Sequence, residues 1–212
     1  MNGTELENQS RGKRSGLVVF ILVLALVLLG GAGFLFYWFH VGEPAKGYYE
    51  AAMQGDPEAQ YQLAECYYNG NSVRKDFSAA TDWYRKAAEQ GYAEAQCQLG
   101  KCYYSGEGVS QDYPRAVKWY RKAAEQGNAK GQCGLGYCYY HGEGVEEDKE
   151  EAVKWFRKAA EQGNTHAMAA LSGCYMLGEG VPVNKAEAIR LLRKSAKLGN
   201  PEAQKALKKL GL

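Results

Sequence analysis

The sequence predicts an all-α solenoid, a stack of two-helix units, because one residue pattern recurs four times at a constant interval. The glycines that close each copy stand 36 residues apart, at Gly55, Gly91, Gly127, Gly163 and Gly199. The block WYRKAAEQG occurs twice and WFRKAAEQG once, in three successive copies. A fixed period of about 20 to 50 residues is the signature of a repeat array, in which each unit packs mainly against its neighbours.

Each copy of the pattern is predicted to form two helices joined by a turn. In the first copy Asp56 suits the N-cap and Pro57 the first helical position. A left-handed glycine is expected to end each first helix, at Gly70, Gly106, Gly142 and Gly178. Capping side chains then begin each second helix, at Asp76, Asp112, Asp148 and Asn184. Small residues within the first helices, at Ala64, Gly100 and Gly136, are interpreted as contacts with the neighbouring unit.

Two half-units flank the four copies. Residues 47–55, GYYEAAMQG, resemble a second helix, and residues 201–212 resemble a first helix. The predicted solenoid therefore covers residues 47–212 and contains about four 36-residue repeats with a capping half-repeat at either end.

A transmembrane helix is predicted to precede the solenoid. Residues 17–39 form a 23-residue run without a charge, about 34 Å long as a helix and sufficient to cross a bilayer. The predicted organisation is a cytoplasmic tail at residues 1–15, a transmembrane signal anchor at 16–39 and a short linker at 40–46.

The basic residues beside this segment predict its orientation. Arg11, Lys13 and Arg14 precede it, while Lys46 is the first basic residue behind it. The positive-inside rule then places the N-terminus in the cytoplasm and the repeats outside it, in the periplasm if the cell is bacterial. A cleaved signal peptide remains the alternative, because Gly31, Ala32 and Gly33 could form a small-residue cleavage site.

The repeat residues of this chain resemble those of the Sel-1-like repeat family, whose members are relatives of the tetratricopeptide repeats. The pattern AQCQLGKCYYSGEGVSQDYPRAVKWYRKAAEQG, at residues 95–127, carries the resemblance most fully. Departures fall at the ends, where Asn71-Ser72 replaces Glu-Gly and Leu191-Leu192 replaces Trp with a second aromatic residue. The resemblance implies a right-handed α-solenoid that serves as an adaptor for protein–protein contacts.

The sequence offers little support for catalysis or metal binding. Four cysteines occupy equivalent core positions, whereas Cys97 and Cys133 fall on the opposite side of the first helix. The three histidines are scattered, so neither a metal site nor a cofactor is predicted. Ser72 and Lys75 match an S-x-x-K pattern, but the other elements of such serine enzymes are absent. The charge of +2 is spread over interleaved Lys, Arg and Glu, which argues against nucleic-acid binding.

The predicted partner-binding surface is the exposed face of the first helices, where side chains vary from unit to unit. Tyrosine rings suit peptide or protein recognition. The assigned residues are Tyr61, Glu65, Tyr68, Lys101, Tyr104, Tyr137, Tyr140, His141 and Met176. The alternative is that Tyr68, Tyr104 and Tyr140 merely pack against the next unit.

Together these patterns predict a membrane-tethered, non-enzymatic scaffold whose groove binds a protein or peptide partner. The competing hypothesis is an exported, cysteine-containing repeat protein with thiol-based or weak hydrolase activity, for which Cys97 and Cys133 are the candidate thiols.

Overall fold

The structure of the chain is a computed structural model that describes residues 45–212. Over that range it contains ten α-helices and no strand, which confirms the all-α solenoid of four two-helix units with a half-unit at either end. The helices are α1 (Ala45–Met53), α2 (Pro57–Asn69), α3 (Phe77–Glu89), α4 (Ala93–Ser105), α5 (Tyr113–Glu125), α6 (Ala129–His141), α7 (Lys149–Glu161), α8 (Thr165–Leu177), α9 (Lys185–Lys197) and α10 (Pro201–Lys209).

The predicted tail, the transmembrane helix and most of the linker lie outside the described residues. Helix α1 begins at Ala45, shortly before the predicted start of the solenoid. Within residues 45–212, no helix combines the length and the apolar character that crossing a bilayer requires.

Side-chain caps begin the helices as predicted. The Asp56 carboxylate accepts a hydrogen bond from the backbone N–H of Ala59 at 2.9 Å, and the other predicted caps make equivalent bonds. Helix α4 is the exception, since Tyr92 stands at its cap position and makes no side-chain bond there. The first helices of the four units end at glycines with φ between 69° and 78°, so the predicted left-handed stops are confirmed.

The two helices of each unit pack against each other and against the next unit. Leu63, Leu99 and Leu135, one from each of the first three units, are completely buried between them. The first helices α4 and α6 also touch each other across the intervening α5. We call the side of the stack that carries the first helices the inner side, and the side that carries the second helices the outer side.

The interpretation of the small residues in the first helices needs correction. A Cβ added at Gly100 would lie 2.8 Å from the ring of Tyr120, and one at Gly136 would lie 2.7 Å from Phe156. Both rings belong to the second helix of the same unit, so these glycines admit an aromatic ring from within the unit. The contact with a neighbouring unit falls instead at Gly134, where a Cβ would lie 2.7 Å from Tyr120 of the preceding unit.

The tightest contact between units is the inter-unit joint, in which the turn of one unit rests on the start of the preceding second helix. A Cβ at Gly108, which has φ +74°, would lie 2.0 Å from the carbonyl oxygen of Phe77. Gly144 and Gly180 occupy the same place in the next two joints. The Thr81 hydroxyl lies within hydrogen-bond distance of both backbone carbonyls of the first joint, that of Phe77 at 2.8 Å and that of Glu107 at 3.1 Å. The Gly-x-Gly turn is thus structural, because only glycine allows this backbone approach.

Buried glutamines fix the first helices to the end of the preceding second helix. The Nε2 atoms of Gln60, Gln96 and Gln132 donate to backbone carbonyls at 3.1 to 3.2 Å. Their Oε1 atoms accept from a second glutamine at the end of the same unit, at 2.7 to 2.8 Å, which satisfies both ends of each buried amide. In the fourth unit Met168 and Leu198 stand at these two positions, so the pair of amide side chains is missing there.

We expect Gly108→Ala to destabilise the array more than Gly127→Ala. Both glycines have positive φ, but a Cβ at Gly127 meets nothing within 4 Å. Gly127→Ala should therefore cost only the left-handed strain, about 1–2 kcal/mol. Gly108→Ala adds a steric clash with backbone and should cost about 3 kcal/mol or more. Urea unfolding followed by far-UV circular dichroism measures both, and equal losses would contradict the inter-unit joint.

Candidate functional site

All nine residues of the predicted binding surface lie on the first helices. Tyr61, Glu65 and Tyr68 belong to α2, and Lys101 and Tyr104 to α4; Tyr137, Tyr140 and His141 belong to α6, and Met176 to α8. They share the inner side of the solenoid because the first helices line it. Their role in binding stays a prediction, but the contacts of each side chain differ sharply along the array.

The N-terminal part of this inner surface is held together by bonds within the chain. Glu65 accepts hydrogen bonds from the Tyr84 hydroxyl and from Nε2 of Gln98, the latter at 2.9 Å. The ring of Tyr61 packs against Tyr84 and Tyr92, with centroids 5.9 and 5.4 Å away. Burial, followed by the charge of Glu65, raises the pKa of Tyr61 to about 12. This half of the surface is therefore already occupied by its own side chains.

A row of tyrosines links each unit to the turn of the next. Each hydroxyl donates to the carboxylate of the glutamate in the following inter-unit joint, 39 residues further along the chain. The pairs are Tyr68 with Glu107 at 2.7 Å, Tyr104 with Glu143 at 2.5 Å, and Tyr140 with Glu179. The alternative interpretation of these three tyrosines, packing against the next unit, is thereby confirmed.

Lysines reinforce two of these pairs. Nζ of Lys101 donates to the Tyr68 hydroxyl at 2.8 Å, and Nζ of Lys149 donates to Glu179 at 2.7 Å. The hydrogen bonds from Lys149 and Tyr140 lower the pKa of Glu179, and the bond to Glu179 raises the pKa of Tyr140 to about 12. At neutral pH the pair is therefore a carboxylate accepting from a neutral phenol.

The C-terminal part of the inner surface is an open, apolar groove of about 480 Å³. Two predicted residues, Tyr137 and Met176, line it, and the ring of exposed His141 stacks on Tyr137 with centroids 6.3 Å apart. We call this cavity the C-terminal groove. Its remaining walls are Ala169, Ala170, Ser172, Gly173, Leu192, Glu202, Ala203, Ala206, Lys209 and Leu210.

The groove exists because the fourth unit lacks the rings that fill the same space in the earlier units. The aromatic position of the second helix holds Tyr84, Tyr120 and Phe156 in units one to three, and Leu192 in unit four. Met176 likewise takes the place of the row tyrosines. In the sequence, the departure from the repeat pattern at Leu191-Leu192 is the signal for this groove. The α10 residues that form one of its walls have no such signal, because their position depends on how α10 packs against the rest of the solenoid.

The candidate thiols are poorly suited to chemistry. All six cysteines, at positions 66, 97, 102, 133, 138 and 174, are free and buried. Burial raises the pKa of Cys97 and of Cys133 to about 12, which suppresses the reactive thiolate at neutral pH. Among residues 45–212, no three His, Cys, Asp or Glu side chains are grouped to hold a metal ion.

The row tyrosines should contribute to stability through their hydroxyl groups. We expect Tyr104→Phe to lower the free energy of unfolding by about 1–2 kcal/mol, because it removes a hydrogen bond to a carboxylate. Tyr137→Phe is the matched control, since its hydroxyl makes no hydrogen bond within the described chain. Combining Tyr104→Phe with Glu143→Gln in a double-mutant cycle measures the coupling. A coupling near zero would show that the pair does not link the units.

Comparison with known proteins identifies the repeat. The model of the Sel1 repeat family matches residues 57–92, 93–128, 129–164 and 165–200, in register with the four units of the structure. A search of curated proteins found no match.

Several solved structures are similar. A protective antigen of uropathogenic Escherichia coli with an SLR fold is 40% identical with a TM-score of 0.71, and the match covers 81% of this chain and 37% of that one. A Sel1 repeat protein from Oxalobacter formigenes is 37% identical with a TM-score of 0.74, covering 77% and 65%. An immunity protein from Pseudomonas aeruginosa is 26% identical with a TM-score of 0.53, covering 75% and 59%. The chain thus spans less than two thirds of each of these relatives.

Proposed function

Because the chain belongs to the Sel1 repeat family, whose members are generally scaffolds for protein–protein interaction and typically non-enzymatic, we propose that it is a membrane-tethered scaffold. In this proposal the inner surface binds a protein or peptide partner, and the C-terminal groove receives an apolar side chain of that partner. The N-terminal anchor holds the repeats close to the bilayer and outside the cytoplasm.

The observation that carries the binding proposal is the contrast between the two halves of the inner surface. In the N-terminal half Glu65 and the row tyrosines are hydrogen-bonded to other repeat residues. The C-terminal groove is walled mainly by alanines, leucines, Gly173 and Met176, with Glu202 and Lys209 as its charged residues. Concave, mainly apolar sites with a few polar groups are the usual form of a binding site.

The sequence pattern suggested that the row tyrosines offer free hydroxyl groups to a partner, but in the structure they link neighbouring units. Their hydroxyls are engaged by glutamates, so a partner would meet their ring edges rather than free hydroxyl groups. A Tyr→Ala substitution would loosen the inter-unit joint as well as the surface. Tests of binding therefore belong in the groove, where a side chain can be changed without breaking a bond between units.

The thiol-based alternative has weaker physical support. A reactive cysteine is accessible and has a lowered pKa, whereas Cys97 and Cys133 are buried with raised pKa values. Six free thiols outside the cytoplasm remain compatible with the scaffold proposal, because burial protects them from oxidants.

The predicted topology can be tested with a membrane-impermeant maleimide on cells whose outer membrane, if present, is permeabilised. The native cysteines should label only after unfolding, because all six are buried and burial raises the pKa of each thiol, which suppresses the reactive thiolate. Ser110→Cys, in an exposed turn, should label readily while the inner membrane is still intact. Ser10→Cys, in the predicted cytoplasmic tail, should label only after the inner membrane is opened. The reverse pattern would place the repeats in the cytoplasm.

The groove can be tested by filling it. Gly173 lines the C-terminal groove, and a Cβ added there meets no atom within 4 Å, so a larger side chain can begin at this position without a clash. We expect Gly173→Trp to reduce cross-linking of the partner to a photoreactive residue at position 176 by at least about tenfold, because it occupies the site. Gly173→Ala is the matched control: it should leave binding intact and stabilise α8 by about 1 kcal/mol.

The partner is identified by mass spectrometry of the cross-linked product from native membranes, and its affinity is then measured with purified proteins. A photoreactive residue at exposed position 118, on the outer side, gives the background. Cross-linking from position 176 that persists in Gly173→Trp would exclude the C-terminal groove as the binding site.

A further inference from the structure

We propose that α9 and α10 carry a second, electrostatic membrane contact, a surface that binds the headgroups of anionic phospholipids. The surface, called here the basic patch, consists of Arg193, Lys194, Lys197, Leu198, Lys205 and Lys208. It goes beyond the proposed scaffold function, since neither the anchor nor the C-terminal groove requires it.

The charge of this region differs from that of the rest of the chain. Residues 190–212 contain seven Lys or Arg and one acidic residue, Glu202, although the whole chain carries a net charge of only +2. The balanced charge inferred from the sequence therefore conceals a strongly basic end. Arg193, Lys194 and Lys197 lie three and four residues apart on one side of α9, and Lys205 and Lys208 lie three apart on α10, which packs against α9.

The repeat supplies an internal reference for these residues. Where the first three units end in Glu-Gln-Gly, the fourth ends in Lys197, Leu198 and Gly199, so one acidic residue has become basic and one amide has become aliphatic. Two arginines equivalent to Arg193 are engaged on their neighbours, as Arg121 and Arg157 donate to tyrosine hydroxyls. Those tyrosines stand 18 residues after their arginines. The residue 18 positions after Arg193 is Gly211, which has no hydroxyl to accept a hydrogen bond from Arg193.

The patch is accessible and its charges are unpaired. Lys194, Lys197, Lys205 and Lys208 are all exposed. Within residues 45–212 no carboxylate lies within ion-pair distance of these lysines or of Arg193, although five other basic residues do form such pairs. Each cation is therefore free to meet an external anion.

Exposed leucines beside the lysines select a lipid surface over another anion. Leu198 is 55% exposed at the end of α9, and Leu212 is 51% exposed beyond α10. Lysines interspersed with exposed aliphatic side chains are typical of surfaces that lie at the membrane interface, where cations meet headgroups and leucines enter the acyl boundary. Phosphates of a nucleic acid would use the lysines but not the leucines. Each lysine near an anionic leaflet contributes on the order of 1 kcal/mol.

The experiment uses the full chain in nanodiscs that contain a nitroxide-labelled headgroup lipid. The nanodiscs are made either of phosphatidylcholine alone or of phosphatidylcholine mixed with anionic phosphatidylglycerol. A bimane on Pro201→Cys, the exposed first position of α10, reports distance to the headgroups. The same dye on Ser110→Cys gives the reference. We expect quenching at position 201 only with phosphatidylglycerol, reversed by about 0.5 M salt.

Two sets of four Lys→Gln substitutions distinguish an effect of the basic patch from an effect of the protein's net charge. The first set, Lys194, Lys197, Lys205 and Lys208, should abolish the lipid-dependent quenching. The second set removes the same charge from exposed positions elsewhere and should leave it intact: Lys118, Lys122, Lys130 and Lys154. For a chain that does not enter nanodiscs, binding to preformed vesicles of the same lipids replaces quenching. The first set of substitutions should weaken that binding on the order of a thousandfold.

Failure of the patch and failure of the anchor give different results. An anchored chain resists extraction by alkaline carbonate whatever the lipid charge, whereas the patch contact depends on phosphatidylglycerol and on salt. Quenching that is equal in both lipids, or absent in both, would overturn the proposal. So would loss of quenching in the second set of variants. If the first set of substitutions instead changes the sedimentation coefficient of the detergent-solubilised protein, the basic patch belongs to an interface between copies of the chain. That result would also overturn the proposal.

Discussion

The inter-unit joint is the contact on which the rest of the array depends. At this joint the backbone of one turn lies directly on the first residue of the preceding second helix, as Gly108 lies on Phe77. In the same turn, the Glu107 carboxylate accepts from the Tyr68 hydroxyl, and the Glu107 backbone carbonyl lies within hydrogen-bond distance of the Thr81 hydroxyl. In the turns of units two to four, one glycine and one glutamate therefore set the spacing between units and their rotation. Each unit touches only its neighbours, so no distant contact corrects the orientation of a unit. A small change in the rotation at one joint would therefore reorient all the units that follow it.

The sequence predicted the fold closely, because helices, caps and turns are local. Asp56, Gly70 and Asp76 act through backbone within a few residues of themselves, so their type and spacing are sufficient. The purpose of the small residues was harder to predict. Gly100 could face either its own unit or the neighbour, and only the packed helices show that it faces Tyr120. Helical spacing identifies a face but not which element covers that face.

The predicted binding surface meets the same limit. Variation among units drew attention to Tyr137 and Met176, which line the C-terminal groove. It also drew attention to Tyr104, whose hydroxyl is used by Glu143, a partner 39 residues away that no local pattern reveals. Ala203, Ala206 and Leu210 were missed because their role depends on how α10 meets α8 across the groove. The basic patch was hidden by a net charge that averages over the chain.

The tyrosine row has a consequence for how such a protein can grow. The second and third units each carry both halves of the connection, a glutamate for the unit before and a tyrosine for the unit after. The first unit has Tyr68 but Asn71 in place of the glutamate, and the fourth has Glu179 but Met176 in place of the tyrosine. Duplication of the gene segment for either middle unit would thus lengthen the array with every connection complete. Copying an outer unit into the interior would leave one connection open, so the units are directional parts rather than interchangeable ones.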